Sequence, residues 1–77
     1  MNKERRSRIE AVRDKLEELM EEVEALHDEE AEAYENLPES LQESERGQAM
    51  SEAADSLESA ASSIEEAMDY LESASEK

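Results

Sequence analysis

A seven-residue repeat runs through the second half of this chain: Met50, Leu57, Ile64 and Leu71 recur at one position, and Ala53, Ala60, Ala67 and Ala74 recur three places later. Spacings of three and four put both sets on one stripe of an α-helix and do not fit the two-residue period of a strand. The first half carries the same signal in Ile9, Val12, Leu16, Leu19, Val23 and Leu26, and nothing from Asn2 to Glu35 breaks a helix. Beyond Leu26 the pattern weakens, because Glu30 and Ala33 take the next two positions. Leu37 then precedes Pro38, and proline disfavours helical geometry in the residue before it. The polar stretch from Pro38 to Gly47 is short, so the two helices are expected to fold back on each other. The prediction is an all-α, antiparallel two-helix hairpin over residues 1–77, with a helix at 3–36, a turn at 37–44 and a helix at 45–75. Leu41 and Leu37 are expected to plug the seam at the turn.

Assigning a and d of the heptad to the two recurring sets fixes an expected register. It pairs Ile9 with Ala74, Val12 with Leu71, Leu16 with Ala67, Leu19 with Ile64, Val23 with Ala60 and Leu26 with Leu57, alternating large and small layers. Alanine at every d of the second helix lets the two backbones approach closely. The same register sets Lys3, Arg5, Arg6, Arg8 and Arg13 beside Glu65, Glu66, Asp69, Glu72 and Glu76. Each such exposed pair contributes only about 0 to 1 kcal/mol, enough to choose orientation.

Seventy-seven residues make one domain at most, and a single hairpin buries little. A second apolar strip is expected beside the main seam, from Met20, His27 and Tyr34 on the first helix and Ala54, Ala61 and Met68 on the second. It reads either as the flank of a wide core or as a self-association surface centred on Met20, His27, Tyr34, Ala61 and Met68. In the second case a homodimer would form a four-helix bundle.

Charge narrows the function classes. Of 24 acidic residues, 21 follow Lys15, where only Arg46 and Lys77 oppose them, so residues 16–77 carry −19 against +3 for residues 1–15. An acidic surface of this density repels itself, and a cationic partner relieves that repulsion. It argues against direct binding of nucleic acid or of an anionic membrane. No apolar run approaches the roughly 20 residues of a membrane span, and the start of the chain lacks a signal-peptide core, so the expectation is a cytoplasmic protein. There is no cysteine, hence no disulfide and no thiolate metal site.

The acids form stripes. Glu17, Glu21, Glu24, Asp28 and Glu35 keep to one outward face of the first helix, and Asp55, Glu58, Glu65, Asp69, Glu72 and Glu76 do the same on the second. Carboxylates three and four residues apart have β-carbons about 5 to 6 Å apart, close to the spacing of successive phosphates in a nucleic-acid strand. Like charges so placed cost a few tenths of a kcal/mol each, and ordinary helix surfaces interleave lysine. The bland explanation is a solvated face that serves solubility or high salt, although glutamate outnumbers aspartate 20 to 4, which disfavours a halophile. Glu24-Ala-Leu-His27 matches the Glu-x-x-His pattern of di-iron bundles, but Glu24 falls on the outward stripe and a two-residue match is weak in so Glu-rich a chain. With one histidine, no Gly-rich phosphate loop and no nucleophile elbow, neither an enzyme nor a cofactor is expected.

The run Glu35-Asn36-Leu37-Pro38-Glu39-Ser40-Leu41-Gln42-Glu43-Ser44-Glu45-Arg46-Gly47, with the opening Met1-Asn2-Lys3-Glu4-Arg5-Arg6, resembles small uncharacterised acidic helical proteins of phages and mobile elements of Gram-positive bacteria. The resemblance implies no established activity. Such elements also encode acidic anti-restriction and anti-CRISPR inhibitors that imitate DNA, so it implies an inhibitor in the cytoplasm of a host cell. The leading expectation is therefore a nucleic-acid mimic that occupies the Lys/Arg-lined channel of a basic, nucleic-acid-binding protein such as a defence nuclease. Glu17, Glu21, Glu24, Asp28, Asp55, Glu58, Glu65 and Asp69 would be its contact residues. The alternative is a non-catalytic, self-associating structural coiled coil whose acidity serves solubility.

Overall fold

Asn2 opens the first helix. Its side-chain oxygen accepts a hydrogen bond from Arg5 N at 2.7 Å, satisfying one of the donors left free at a helix start. Helix α1 spans Lys3–Glu35 in the computed structural model, which describes residues 1–77. It is capped at Asn36, whose N–H donates to Glu32 O at 3.0 Å. Pro38 then starts a single helical turn, α2 (Glu39–Gln42), within the stretch expected to be a plain turn. Helix α3 (Glu45–Ser75) begins at Ser44, whose hydroxyl accepts from Gly47 N at 3.2 Å and itself donates to Leu41 O. The long helices pack along each other in opposite directions, with Cα extents of 58 × 14 × 12 Å.

The turn is held by its polar side chains. Gln42 Nε2 donates to Tyr34 O at 3.3 Å, a carbonyl that also accepts from Leu37 N, and to Leu37 O at 3.2 Å, tying the turn to the end of α1. Gln42 is therefore the α2 residue turned toward the hairpin. Leu41, expected to plug the seam, is exposed, while Leu37 is half-buried. Gly47 is buried because α3 starts hard against α2: a Cβ there would lie well inside 3.0 Å of the Leu41 and Gln42 carbonyl oxygens. Its φ is not positive, so close approach and not a left-handed backbone calls for glycine here.

That clamp also sets which stripe of each helix faces inward. The inward stripe of α1 and of the residues just after it runs Arg6, Ile9, Arg13, Leu16, Met20, Val23, His27, Glu30, Tyr34, Leu37, all half-buried, with Ala31 half-buried beside it. Read backward, the matching series on α3 is Ser75, Leu71, Met68, Ile64, Ala61, Leu57, Ala54, Met50, Gly47, with Ala53, Ala67 and Ala74 half-buried along its edge, and from Ile9 onward the two series agree step for step. The seam is thus built from heptad positions a and e, not a and d. Met20, His27, Tyr34, Ala61 and Met68, expected on a separate strip, lie within it. Val12, Leu19 and Leu26, expected inside it, are 47%, 49% and 52% exposed. With Gly47 at e pressed onto the turn, α3 presents its a/e stripe, and the small residues Ala54 and Ala61 accept the long side chains of α1. Aligned by burial, Leu16 falls level with Met68 and Val23 with Ala61, in place of the expected Leu16–Ala67 and Val23–Ala60.

The core is thin. Ala54 (7% exposed) and Met68 (6%) are its buried apolar residues. Full burial of a Leu- or Met-sized side chain contributes about 1.5–3 kcal/mol, and most seam residues obtain only part of that. The basic tip adds little: Arg13 pairs with Glu72 at 3.8 Å, whereas Lys3, Arg5, Arg6 and Arg8 make no ion pair with the acidic end of α3.

Candidate functional site

In an antiparallel pair the same heptad letter falls on the same side of both helices, so the a/e seam divides the remaining surface into two unlike sides. Positions b and f lie on one of them. They hold Glu10, Asp14, Glu17, Glu21, Glu24, Asp28 and Glu35 of α1 and Asp55, Glu58, Glu65, Asp69, Glu72 and Glu76 of α3. At 1.5 Å per residue these carboxylates cover roughly 40 Å of axis, or roughly one for every 3 Å. A nucleic-acid strand presents about one charge per 3.4 Å.

Two shallow grooves along this side bring carboxylates of both helices together. The first, about 310 Å³, is lined by Met20, Glu24, His27 and Asp28 from α1 and by Glu58, Ala61, Ser62 and Glu65 from α3. Four of the eight residues expected to contact a partner, Glu24, Asp28, Glu58 and Glu65, thus share one wall system. Glu17 and Glu21 continue the α1 row toward the tip, and all eight residues, Asp55 and Asp69 included, are exposed. The second groove, about 510 Å³, is formed by Glu10, Arg13, Asp14, Glu72, Ser75 and Glu76. Glu10 and Asp14 were not among the expected contacts. Their signal was present in the sequence, since Glu10, Glu17 and Glu24, and likewise Asp14, Glu21 and Asp28, repeat every seven residues.

Arg13 is the cation set among these carboxylates. It is half-buried at an e position, its Nη1 lies 3.4 Å from Glu17 Oε2 and 3.8 Å from Asp14 Oδ1, and its Nε is shielded from water without a hydrogen bond. His27 is also half-buried, with Nδ1 3.2 Å from Asp28 Oδ1. Glu24 and His27 do share the first groove, but no three His, Asp or Glu side chains are placed to hold a metal ion.

Comparison with protein-family models, with curated proteins and with solved structures found no match to this chain. The side opposite the carboxylates is apolar at its centre: Val12, Leu19 and Leu26 run along α1 at d, beside the d alanines of α3. Near the tip it forms a groove of about 300 Å³ lined by Arg5, Arg8, Ile9, Val12 and Leu71. No helix is long and apolar enough to cross a membrane.

Proposed function

We propose that this chain is a non-catalytic binding protein whose acidic side imitates a nucleic-acid backbone and occupies the Lys/Arg-lined channel of a basic, nucleic-acid-binding protein. The observation that carries the reading is the collection of both acidic rows on one side of a straight rod, at close to the linear charge density of a nucleic-acid strand. Solubility alone asks for charge spread around the surface, not for two rows that repel each other along a single side. A rigid rod also binds without first ordering its carboxylates, which keeps the entropic cost of association low. Glu17, Glu21, Glu24, Asp28, Asp55, Glu58, Glu65 and Asp69 form the centre of the contact surface, and Glu10, Asp14, Glu72 and Glu76 extend it.

The test is capture of proteins from a bacterial lysate on the tagged chain, followed by elution with duplex DNA at fixed salt. A nucleic-acid-processing protein that DNA releases, and that a variant with Glu21, Glu24, Glu58 and Glu65 changed to lysine no longer retains, supports the reading. Retention that neither duplex DNA nor the charge reversal disturbs would sink it.

A further inference from the structure

We propose that the apolar side of the hairpin is covered by a second copy of this chain, turned end for end, so that the species in solution is a four-helix bundle with both acidic sides outward. Apart from Met1 at the start of the chain and Leu41 at the turn, the exposed large apolar residues share this side: Val12, Leu19 and Leu26 are about half exposed at successive d positions, and Tyr70, 67% exposed, stands beside them on α3. Ala60 and Ala67 lie alongside them and leave room for a partner helix. A side of about 58 by 14 Å offers on the order of 800 Å² per copy, the share each partner contributes to a stable interface. A hairpin with so thin a core has much to gain from that burial.

Charge selects both the occupant and its direction. The outer edge of this side on α1 carries Arg8 and Lys15 toward the tip and Glu22 and Glu29 toward the turn, at g positions. A twofold axis crossing the rod at Leu19 stacks α1 on α1 in opposite directions. Arg8 and Lys15 then face Glu29 and Glu22 of the second copy, while Val12 meets Leu26 and Leu19 meets Leu19. A twofold along the rod would instead place Arg8 beside Lys77 and leave Glu22 and Glu29 opposite serines. The surface is thus complementary to itself in one arrangement. The acidic rows point away from it, so the proposal stands whether or not they bind a basic protein.

The experiment is sedimentation equilibrium at physiological salt over a range of concentrations, on the wild type and three variants. The wild type is expected at twice the 8.7 kDa chain mass. Leu19→Glu is expected at the single-chain mass with its helical circular dichroism retained, because Leu19 lies outside the seam. Glu21→Lys, on the acidic side, keeps the dimer. Leu19→Cys, in a chain with no cysteine of its own, is expected to form an inter-chain disulfide on mild oxidation. A wild type that stays at the single-chain mass throughout, or a dimer that Leu19→Glu leaves intact, overturns the interface. A dimer in which Leu19→Cys does not cross-link overturns the end-for-end arrangement.

Discussion

Arg13 Nε lies 3.8 Å from Glu72 Oε2, and this is the one ion pair that joins α1 to α3. The same guanidinium reaches Asp14 and Glu17 on its own helix, so its charge is divided among three carboxylates. Glu72→Gln is therefore expected to cost less than about 1 kcal/mol. Arg13→Leu should do the opposite of what loss of a salt bridge suggests. It removes a shielded donor with no hydrogen bond and sets an apolar side chain in the seam layer of Leu71, for a gain of about 1 kcal/mol. Urea titrations of the two variants check this. An Arg13→Leu protein clearly less stable than wild type would show that the ion pairs hold the tip closed.

Gly47→Ala tests the clamp at the turn. Alanine is the better helix former by about 1 kcal/mol, so a helix-propensity argument alone predicts stabilisation. The added Cβ, however, meets two backbone oxygens of α2 that cannot move without dismantling the turn. The clash outweighs the propensity gain, and a net loss of about 2 kcal/mol is expected, or a fall in thermal midpoint of roughly 10 °C. An unchanged or higher midpoint would mean that α2 yields easily.

Two long helices, their approximate ends and their antiparallel packing could be read from heptad spacing, from Pro38 and from the short polar stretch that follows it. Rotation about the helix axes could not. On α1 the d residues Val12, Leu19 and Leu26 are more apolar than the e residues Arg13, Met20, His27 and Tyr34, so hydrophobicity favoured the a/d stripe. The seam instead follows from a backbone contact at Gly47, whose neighbours in space depend on how Gln42 closes the turn. The acidic side was legible because the carboxylates were grouped by helical spacings of three and four, which a rotation of the frame does not disturb, although that grouping left out Glu10 and Asp14. The place of Met20, His27, Tyr34, Ala61 and Met68, read as either the flank of the core or a self-association surface, was not legible, because it depended on which stripe the seam took.

Glu30 is the weak layer of the seam whichever of the two stripes faces inward. It occupies an a position of the seam, half-buried in the layer of Ala54, where a carboxylate loses hydration and gains no ion pair. Glu30→Leu is expected to raise stability by about 1 to 2 kcal/mol through burial of apolar area in the space that Ala54 leaves. Glu32→Leu, two residues away and exposed, should change little. Equal effects of the two substitutions in thermal melts would show that α1 frays before the turn.

The acidic rows should make the protein more stable in salt. Neighbours such as Glu17, Glu21, Glu24 and Asp28 repel one another at about 5 to 6 Å, a range that about 0.1 M salt screens weakly and about 1 M screens well. Only one weak cross-helix ion pair is lost in exchange. The thermal midpoint is thus expected to rise with sodium chloride. Glu21→Lys should reproduce part of the rise at low salt, because it converts repulsion of Glu17 at i,i+4 into attraction worth a few tenths of a kcal/mol. Under the proposed function the same substitution weakens capture of the basic partner. A variant that is more stable yet binds less would mark the acidic side as kept at a cost to the fold. A variant more stable and equally able to bind would return those carboxylates to a role in solubility.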